Sequence, residues 1–554
     1  MLTILMVVCA LTEVASIGSL LPFLSVLTEP DLVFNNPLFK PIILAFSIKS
    51  SDQLLLTFTV IFCTAIIISG ILRLCLLYIT SRLTFALGGE LSVSIYQKTL
   101  LQPYSVHIAR NSSQIVDGIT NKTISLIECI RCTITITSST ILLGIIVASL
   151  FIFEPLITFQ VFFGLGVIYF IITNLTRREL LENGTRIAKY SRISIQSTQE
   201  SLGSIRDILI DGSQKYYVDY YKNISTCWRN AQALNQFISG SPKFFIESLG
   251  IIFFVLLSFK LLSGPERLMD AIPILGVLAL SAQRMLPVLQ QMFSAWSDLV
   301  TQKPSLIDAI ELLDQPTNFD NADLNEGKLL SFDSEIRFED ISYRYSCDSP
   351  LVLKNLNIEI KKGARIGIMG KTGSGKSTFA DILMGLLNPS CGQIIVDSVH
   401  LNLINVTQWR RKISHVPQSI FLANATIAEN IAFGISKDQI DYERVILAAK
   451  EAQISTAIDL MDKKYDSMVG ERGINLSGGQ RQRIGIARAL YKKAEIIIFD
   501  EATSALDLET ESDVMESIRS LNSNITIIII AHRESSLTCC NELYEINNGV
   551  LKKL

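Results

Sequence analysis

The sequence predicts a multidomain membrane protein, an all-α transmembrane domain of six helices followed by an α/β domain. Three observations predict it. The 554 residues are 49% hydrophobic and only 18% charged, with mean hydropathy +0.38, too apolar for a water-soluble chain of this size. Six long apolar stretches fall within the first three hundred residues. From Glu335 onward the texture changes to short β-branched runs alternating with helical segments, the signature of a largely parallel sheet.

The apolar stretches cover roughly 2–27, 54–80, 134–153, 155–175, 245–263 and 271–290, each long enough to span a bilayer. The first lacks the basic n-region of a signal peptide and reads as a membrane helix. "FEPL" at 153–156 makes a tight hairpin between the third and fourth. Long polar, helical-looking segments follow spans two and four. They hold most of the Lys and Arg of this half, which places them and both termini on the cytoplasmic side. The sequons at Asn111, Asn121 and Asn223 fall on that side and carry no expected glycan. The net charge of −3 and the absence of a basic tail give no sign of a nucleic-acid partner. The ten cysteines are scattered. The one CxxC, Cys129 and Cys132, reads as two helix residues one turn apart.

Residues 303–334 read as a helix running into a polar linker, which sets the expected domains at 1–302 and 335–554. Within the second domain "EIRFEDISYRY" alternates like a strand. "ARIGIM", "KISHVP", "EIIIFD" and "NITIIIIAH" are the further strands.

"MGKTGSGKST" (369–378) follows a strand and opens a helix, the context of a phosphate-binding P-loop. Gly370, Gly373 and Gly375 let backbone N–H groups turn toward phosphate, with Thr372, Ser374 and Thr378 completing the loop. Lys376 neutralises phosphate oxygens, and Ser377 offers a hydroxyl to Mg²⁺. "EIIIFDEATSALD" ends an apolar strand in Asp500, suited to a Mg²⁺ shell, and in Glu501, which can polarise an attacking water. His532 ends a neighbouring strand on the same side and suits a γ-phosphate contact. Ser477, Gly478 and Gly479 begin the helix "GQRQRIGIARALYKK" and offer a hydroxyl and N–H groups to an anion.

These motifs, in this order, resemble the nucleotide-binding domain of ABC transporters, a P-loop NTPase that binds ATP and Mg²⁺. The resemblance implies that Tyr345 stacks on adenine. It implies that Gln418, in "HVPQSIFLANATIAENI", is the Q-loop residue touching Mg²⁺ and facing the membrane domain. "LSGGQ" (476–480), with Gln480 at its end, is the family signature, Asp507 the D-loop aspartate and His532 the switch histidine. In that family the signature covers ATP held by the other copy, so one P-loop and one signature per chain imply a homodimer with two equivalent sites. Because Glu501 is present, both sites are expected to hydrolyse ATP. Six spans and two long loops resemble an exporter half-transporter. Its coupling helices are expected near Gln102–Asn111 and Asp211–Tyr217, with "GERG" (470–473) resembling the loop that contacts them.

Ionisable residues inside spans are costly in lipid and mark a cavity. Glu13, Arg73, Arg82, Glu247 and Arg284 qualify, with Lys243 near a span end. Intramembrane pairing is the alternative for these charges, and snorkelling for Arg82 and Lys243. A basic cavity at Arg73, Arg82, Lys243 and Arg284 suits an anionic headgroup. "EVASIGSLLPFLSVL", "SPKFFIESLGIIFFVLL" and "LALSAQRMLPVL" resemble the bacterial flippase of lipid-linked oligosaccharides. That resemblance implies a bacterial inner-membrane protein with a cytoplasmic ATPase domain, moving a lipid-linked oligosaccharide or similar anionic glycolipid. It also implies an elbow helix before the first span, which this sequence does not contain, and a short external helix at 35–48. An exporter of amphipathic drugs or lipid A-like lipids, and a peptide or protein secretion ATPase, are the other transport classes. A soluble ABC ATPase is opposed by the six spans.

Overall fold

A computed structural model describes residues 1–28, 51–153, 155–262, 268–315, 330–402, 405–502 and 508–554. The expected external helix at 35–48 and Asp507 lie outside the described residues. The chain forms two compact units, one of Met1–Leu100 with Arg110–Pro316 and the other of Leu101–Ala109 with Thr317–Leu554.

The first unit is helical. Its described helices include Leu2–Gly18, Leu20–Thr28, Ser51–Leu100, Thr123–Phe153, Pro155–Gly203, Gln214–Leu262 and Leu268–Leu313. Among the described residues, five segments are long and apolar enough to cross a membrane. The sixth expected span lies on the helix Leu268–Leu313. Span and loop are therefore not separate pieces. Ser51–Leu100 runs for 50 residues without a break, because Leu, Ala, Glu, Gln and Lys beyond the apolar stretch favour helix and no Pro interrupts it. A π turn at Gly118–Lys122 joins the short helix Ser112–Asp117 to Thr123–Phe153.

Close helix crossings explain several small residues. A Cβ on Gly184 would stand 2.2 Å from the carbonyl oxygen of Thr301, and one on Gly88 2.3 Å from the Ile127 side chain. Both crossings lie in the helix extensions beyond the apolar stretches, where only a residue without a Cβ leaves room for the neighbouring helix. Leu143, Ile146, Leu150, Met285 and Leu289 form a buried cluster between two helices. Cys129 and Cys132 are buried one helical turn apart. Cys132 lies with Glu128 and Asp298, their donor atoms within 4.8 Å of one another, but Glu128 is committed to Arg131.

The second unit holds two sheets. Strands β1 (Glu335–Tyr343), β2 (Leu353–Lys361), β4 (Cys391–Val396) and β5 (Val399–His400) form an antiparallel sheet ordered β2-β1-β4-β5. Strands β3 (Arg365–Met369), β6 (Ile413–Val416), β7 (Ile496–Asp500), β8 (Thr526–Ile530), β9 (Glu542–Asn547) and β10 (Val550–Lys553) form the other, ordered β10-β9-β3-β8-β7-β6. Four of its five pairings are parallel, and β10 pairs antiparallel with β9. All five residues of β8 are buried, which explains the unbroken isoleucine run of a strand covered on both faces. Trp409 is fully buried, donates its indole N–H to the Leu383 carbonyl at 2.7 Å and meets Phe332 edge-on.

Candidate functional site

The parallel sheet sets the site. β3, β7 and β8 run side by side, so the residues that follow them collect at one sheet edge, where α/β folds bind ligands. After β3 comes the P-loop. Gly373 and Gly375 adopt φ of +80° and +108°, which other residues resist. A Cβ on Gly370, at φ +155°, would stand 2.4 Å from the Ile546 carbonyl oxygen. The helix Lys376–Leu383 starts at the last glycine. Thr372 and Ser377 are exposed, while Ser374 and Lys376 are 8% and 6% exposed. The buried Ser374 hydroxyl has no hydrogen-bond partner among the described residues.

Four of the expected site residues then form a chain of contacts. The Lys376 ammonium donates to the carbonyls of Gly370 at 2.8 Å and Lys371 at 3.2 Å, and lies 3.2 Å from Nε2 of His532. That nitrogen lies 2.8 Å from Oε1 of Glu501. Gln418 donates from Nε2 to the other oxygen, Oε2, at 2.9 Å. An Nε2–H donating to Glu501 cannot also accept from Lys376, so Glu501 anchors both neighbours. Glu501 itself has φ +50°, costly for a non-glycine residue, and its N–H is held by the Ile530 carbonyl at 2.9 Å. Burial, with Glu501 alongside, raises the Asp500 pKa, and burial lowers that of Lys376. Burial and Asp500 push Asp381 up to about 6.

Tyr345 is half exposed and meets Tyr343 edge-on at 5.1 Å. Its hydroxyl pairs with that of Thr378 at 3.0 Å. Tyr104, on the short helix Tyr104–Ala109, lies within the field of Asp381 and Tyr345.

The signature is a helix start. Ser477 caps Gly478–Tyr491 by accepting from the Gln480 N–H at 3.2 Å, while the Gln480 side chain accepts from the Ser477 N–H at 2.9 Å. The sequence alone offers this hydroxyl directly to an anion. Here its lone pair satisfies the helix first, leaving the O–H and the N–H groups of Gly478 and Gly479 to face outward.

In the first unit a cavity of about 660 Å³ is lined by Glu13, Arg73, Thr80, Arg131, Gln283 and Arg284 among others. Glu13 is 1% exposed and pairs with Arg73, whose Nε donates at 2.9 Å, and with Arg284 at 3.7 Å. The pairing alternative is therefore realised for both arginines. A cavity of about 580 Å³, sharing Arg131 and Gln283, includes Lys243, Glu247 and Asp298. A third, about 480 Å³, is apolar, with Leu150, Phe162, Phe254, Met285 and Leu289. Arg82 lines none of the three. Nine residues beyond Arg73 at about 100° each, it points from the opposite side of the helix.

The ABC transporter family profile matches residues 353–504. The ATP-dependent lipid A-core flippase of Idiomarina loihiensis is 31% identical over 393 residues, 70% of this chain and 66% of that protein. The chain belongs to the ABC transporters. The leukotoxin translocation ATP-binding protein LktB of Mannheimia glucosida is 40% identical over 272 residues, 49% of this chain. The match spans only 37% of that relative's length. A bacterial Atm1-family ABC exporter solved with ATP bound shares the fold, with TM-score 0.76 and 23% identity over 98% of this chain and 94% of that one.

In this ABC transporter the segment expected as the first coupling helix includes Tyr104–Ala109, which groups with the ATPase unit. The second expected segment is the turn at Gly212 (φ +66°), after the helix Ile205–Asp211. Leu209, Ile210 and Tyr216 are exposed there. Sequence reading missed Asp381, which no motif flags. It also missed Arg488, which donates to the carbonyls of Asn430 and Phe421 and stacks on Phe433. The Arg488 contacts support the loop after Gln418, and only its place on the signature helix hinted at them.

Proposed function

We propose that this chain is half of an ATP-driven exporter that works as a homodimer in a bacterial inner membrane, with its ATPase domains cytoplasmic. The observation that carries the reading is the unbroken contact chain Gln418–Glu501–His532–Lys376 at the end of three parallel strands. It gathers the parts of a nucleotide hydrolase at one point. The P-loop glycines and the orphaned Ser374 hydroxyl form a cradle fitted to phosphate oxygens. Tyr345 would stack on adenine.

Mg²⁺ would be held by Ser377, Asp500 and Gln418. Hydroxyl, carboxylate and amide oxygens suit a hard cation, and the Gln418 amide nitrogen is already turned to Glu501. The ion supplies charge neutralisation at the transferring phosphate. Glu501 orients the attacking water, His532 contacts the γ-phosphate and positions Glu501, and Lys376 leaves its loop carbonyls for phosphate. Ser477, Gly478, Gly479 and Gln480 of one copy, with Asp507, would close on ATP held by the other. ATP then draws two ATPase domains together and hydrolysis releases them.

The cargo we propose is an anionic glycolipid, a lipid-linked oligosaccharide or a close chemical relative. Arg73 and Arg284 face one cavity and Lys243 the next, and the apolar third cavity suits a hydrocarbon chain. The flippase relative moves lipid A-core, by its name, which supports a lipid class. Protein export is the second reading, favoured by the LktB match. Proteoliposomes containing a fluorescent polyprenyl-diphosphate glycan test the choice. ATP-dependent appearance of the glycan in the other leaflet is expected. Movement of a neutral lipophilic dye alone would replace this cargo with the drug-exporter class.

A further inference from the structure

The first cavity carries an internal counter-ion that the transport reading does not need. Glu13 belongs to the cavity lining but is only 1% exposed, whereas the guanidiniums that hold it, Arg73 and Arg284, are 39% and 28% exposed. Arg73 meets the carboxylate with both Nε and a terminal nitrogen, and Arg284 approaches the same oxygen from a different helix. Each arginine keeps donors that Glu13 does not use. Arg131, the remaining charged side chain among the described lining residues, pairs with Glu128. Two guanidiniums against one carboxylate leave one net positive charge.

We infer that Glu13 sets the charge selectivity of this cavity, holding it at one net positive charge per chain so that an anionic head binds without being trapped. The inference rests on the reading of the cavity as an anion site. Glu13 also fixes where the two guanidiniums stand, since a buried carboxylate between them restricts both forks. Without it the pair would present two uncompensated charges in an apolar bundle, binding highly charged heads tightly and releasing them slowly. A transport site must bind and then let go, so partial neutralisation serves turnover rather than affinity. Glu13 touches no reacting atom and is a charge-setting, positioning residue.

The test uses the full-length protein in proteoliposomes with two fluorescent lipids that share tail and sugar, one joined by a monophosphate and one by a diphosphate. The readout is the ratio of their KM values for ATP-dependent transport. Glu13→Gln keeps an acceptor for Arg73 and removes the charge. It is expected to shift the ratio toward the diphosphate about tenfold, with slower turnover of that lipid. Glu13→Gln/Arg284→Gln restores one net charge and is expected to return the ratio toward the native value. A Glu13→Gln protein with native elution volume and Tm and an unchanged ratio overturns the inference. Should Glu13→Gln not accumulate, Arg284→Gln alone, with no net charge, must move the ratio toward the monophosphate, and an unmoved ratio overturns it equally. Native protein that moves neither anionic lipid but moves a neutral dye defeats the underlying reading. Native transport of both with no effect of Glu13→Gln defeats the inference alone.

Discussion

His532 and Glu501 lie 2.8 Å apart, imidazole Nε2 to carboxylate Oε1, although 31 positions separate them in the chain. The parallel pairing of β7 with β8 produces this meeting, since each residue follows the end of its strand. The pair locates the Glu501 carboxylate, while Gln418 holds its other oxygen.

Glu501→Gln is expected to lower the ATP hydrolysis rate by about 10²–10⁴-fold and to leave nucleotide binding intact. ATP should then hold the protein in a closed dimer. Phosphate release assays and a fluorescent ATP analogue separate the two effects. Normal turnover in this variant would refute the role given to Glu501.

Substituting His532 by Ala removes one of the two hydrogen bonds that fix Glu501. A fall of roughly 10²-fold in kcat with little change in the KM for ATP is expected, since the loss is felt mainly in the transition state. An equal rise in KM with unchanged kcat would make His532 a binding residue only.

Gly370→Ala places a Cβ against the Ile546 carbonyl oxygen and the Ser374 hydroxyl. The P-loop must open, and ATP affinity should fall by at least about tenfold, with about 1–3 kcal/mol of local strain. An unchanged Kd for the fluorescent analogue would mean the loop tolerates the shift.

Asp381 has its pKa raised to about 6, against about 3.9 for a free aspartate. Between those values the unfolded chain loses the proton that the folded one keeps. The unfolded state then binds fewer protons, so stability falls as pH rises through this window. Nucleotide-free protein in EDTA should show a Tm that declines from about pH 4 to about pH 7, and Asp381→Asn should decline less. Identical slopes in the two proteins would remove Asp381 as the source.

Much of the ATP site is legible in the sequence because its parts are local. Gly370, Gly375, Lys376 and Ser377 share one loop, Asp500 and Glu501 stand at the end of one strand, and the signature Leu476–Gln480 is five consecutive residues. The strands β1, β3, β6, β7 and β8 follow the β-branched runs that announce them. What escapes is what only folding decides. The antiparallel sheet that joins β1 to β2, β4 and the two-residue β5 is set by long-range pairing that no single run announces. The left-handed backbone of Glu501 has no sequence mark, since glycine would be the residue expected there. Glu13 and Arg73 are 60 positions apart, so their ionisability was visible but their pairing was not. Arg82 reads like Arg73 until helical phase turns it away.

In the proposed dimer a complete hydrolytic site needs the Ser477 turn of one copy and the P-loop of another. Mixing two inactive chains, Ser477→Arg and Glu501→Gln, tests it most directly. Random pairing should make half the dimers mixed, each with one intact site, and restore roughly a quarter of native ATPase activity. Activity that stays at the level of the two separate variants, with mixed dimers shown by differential tagging, would contradict the claim.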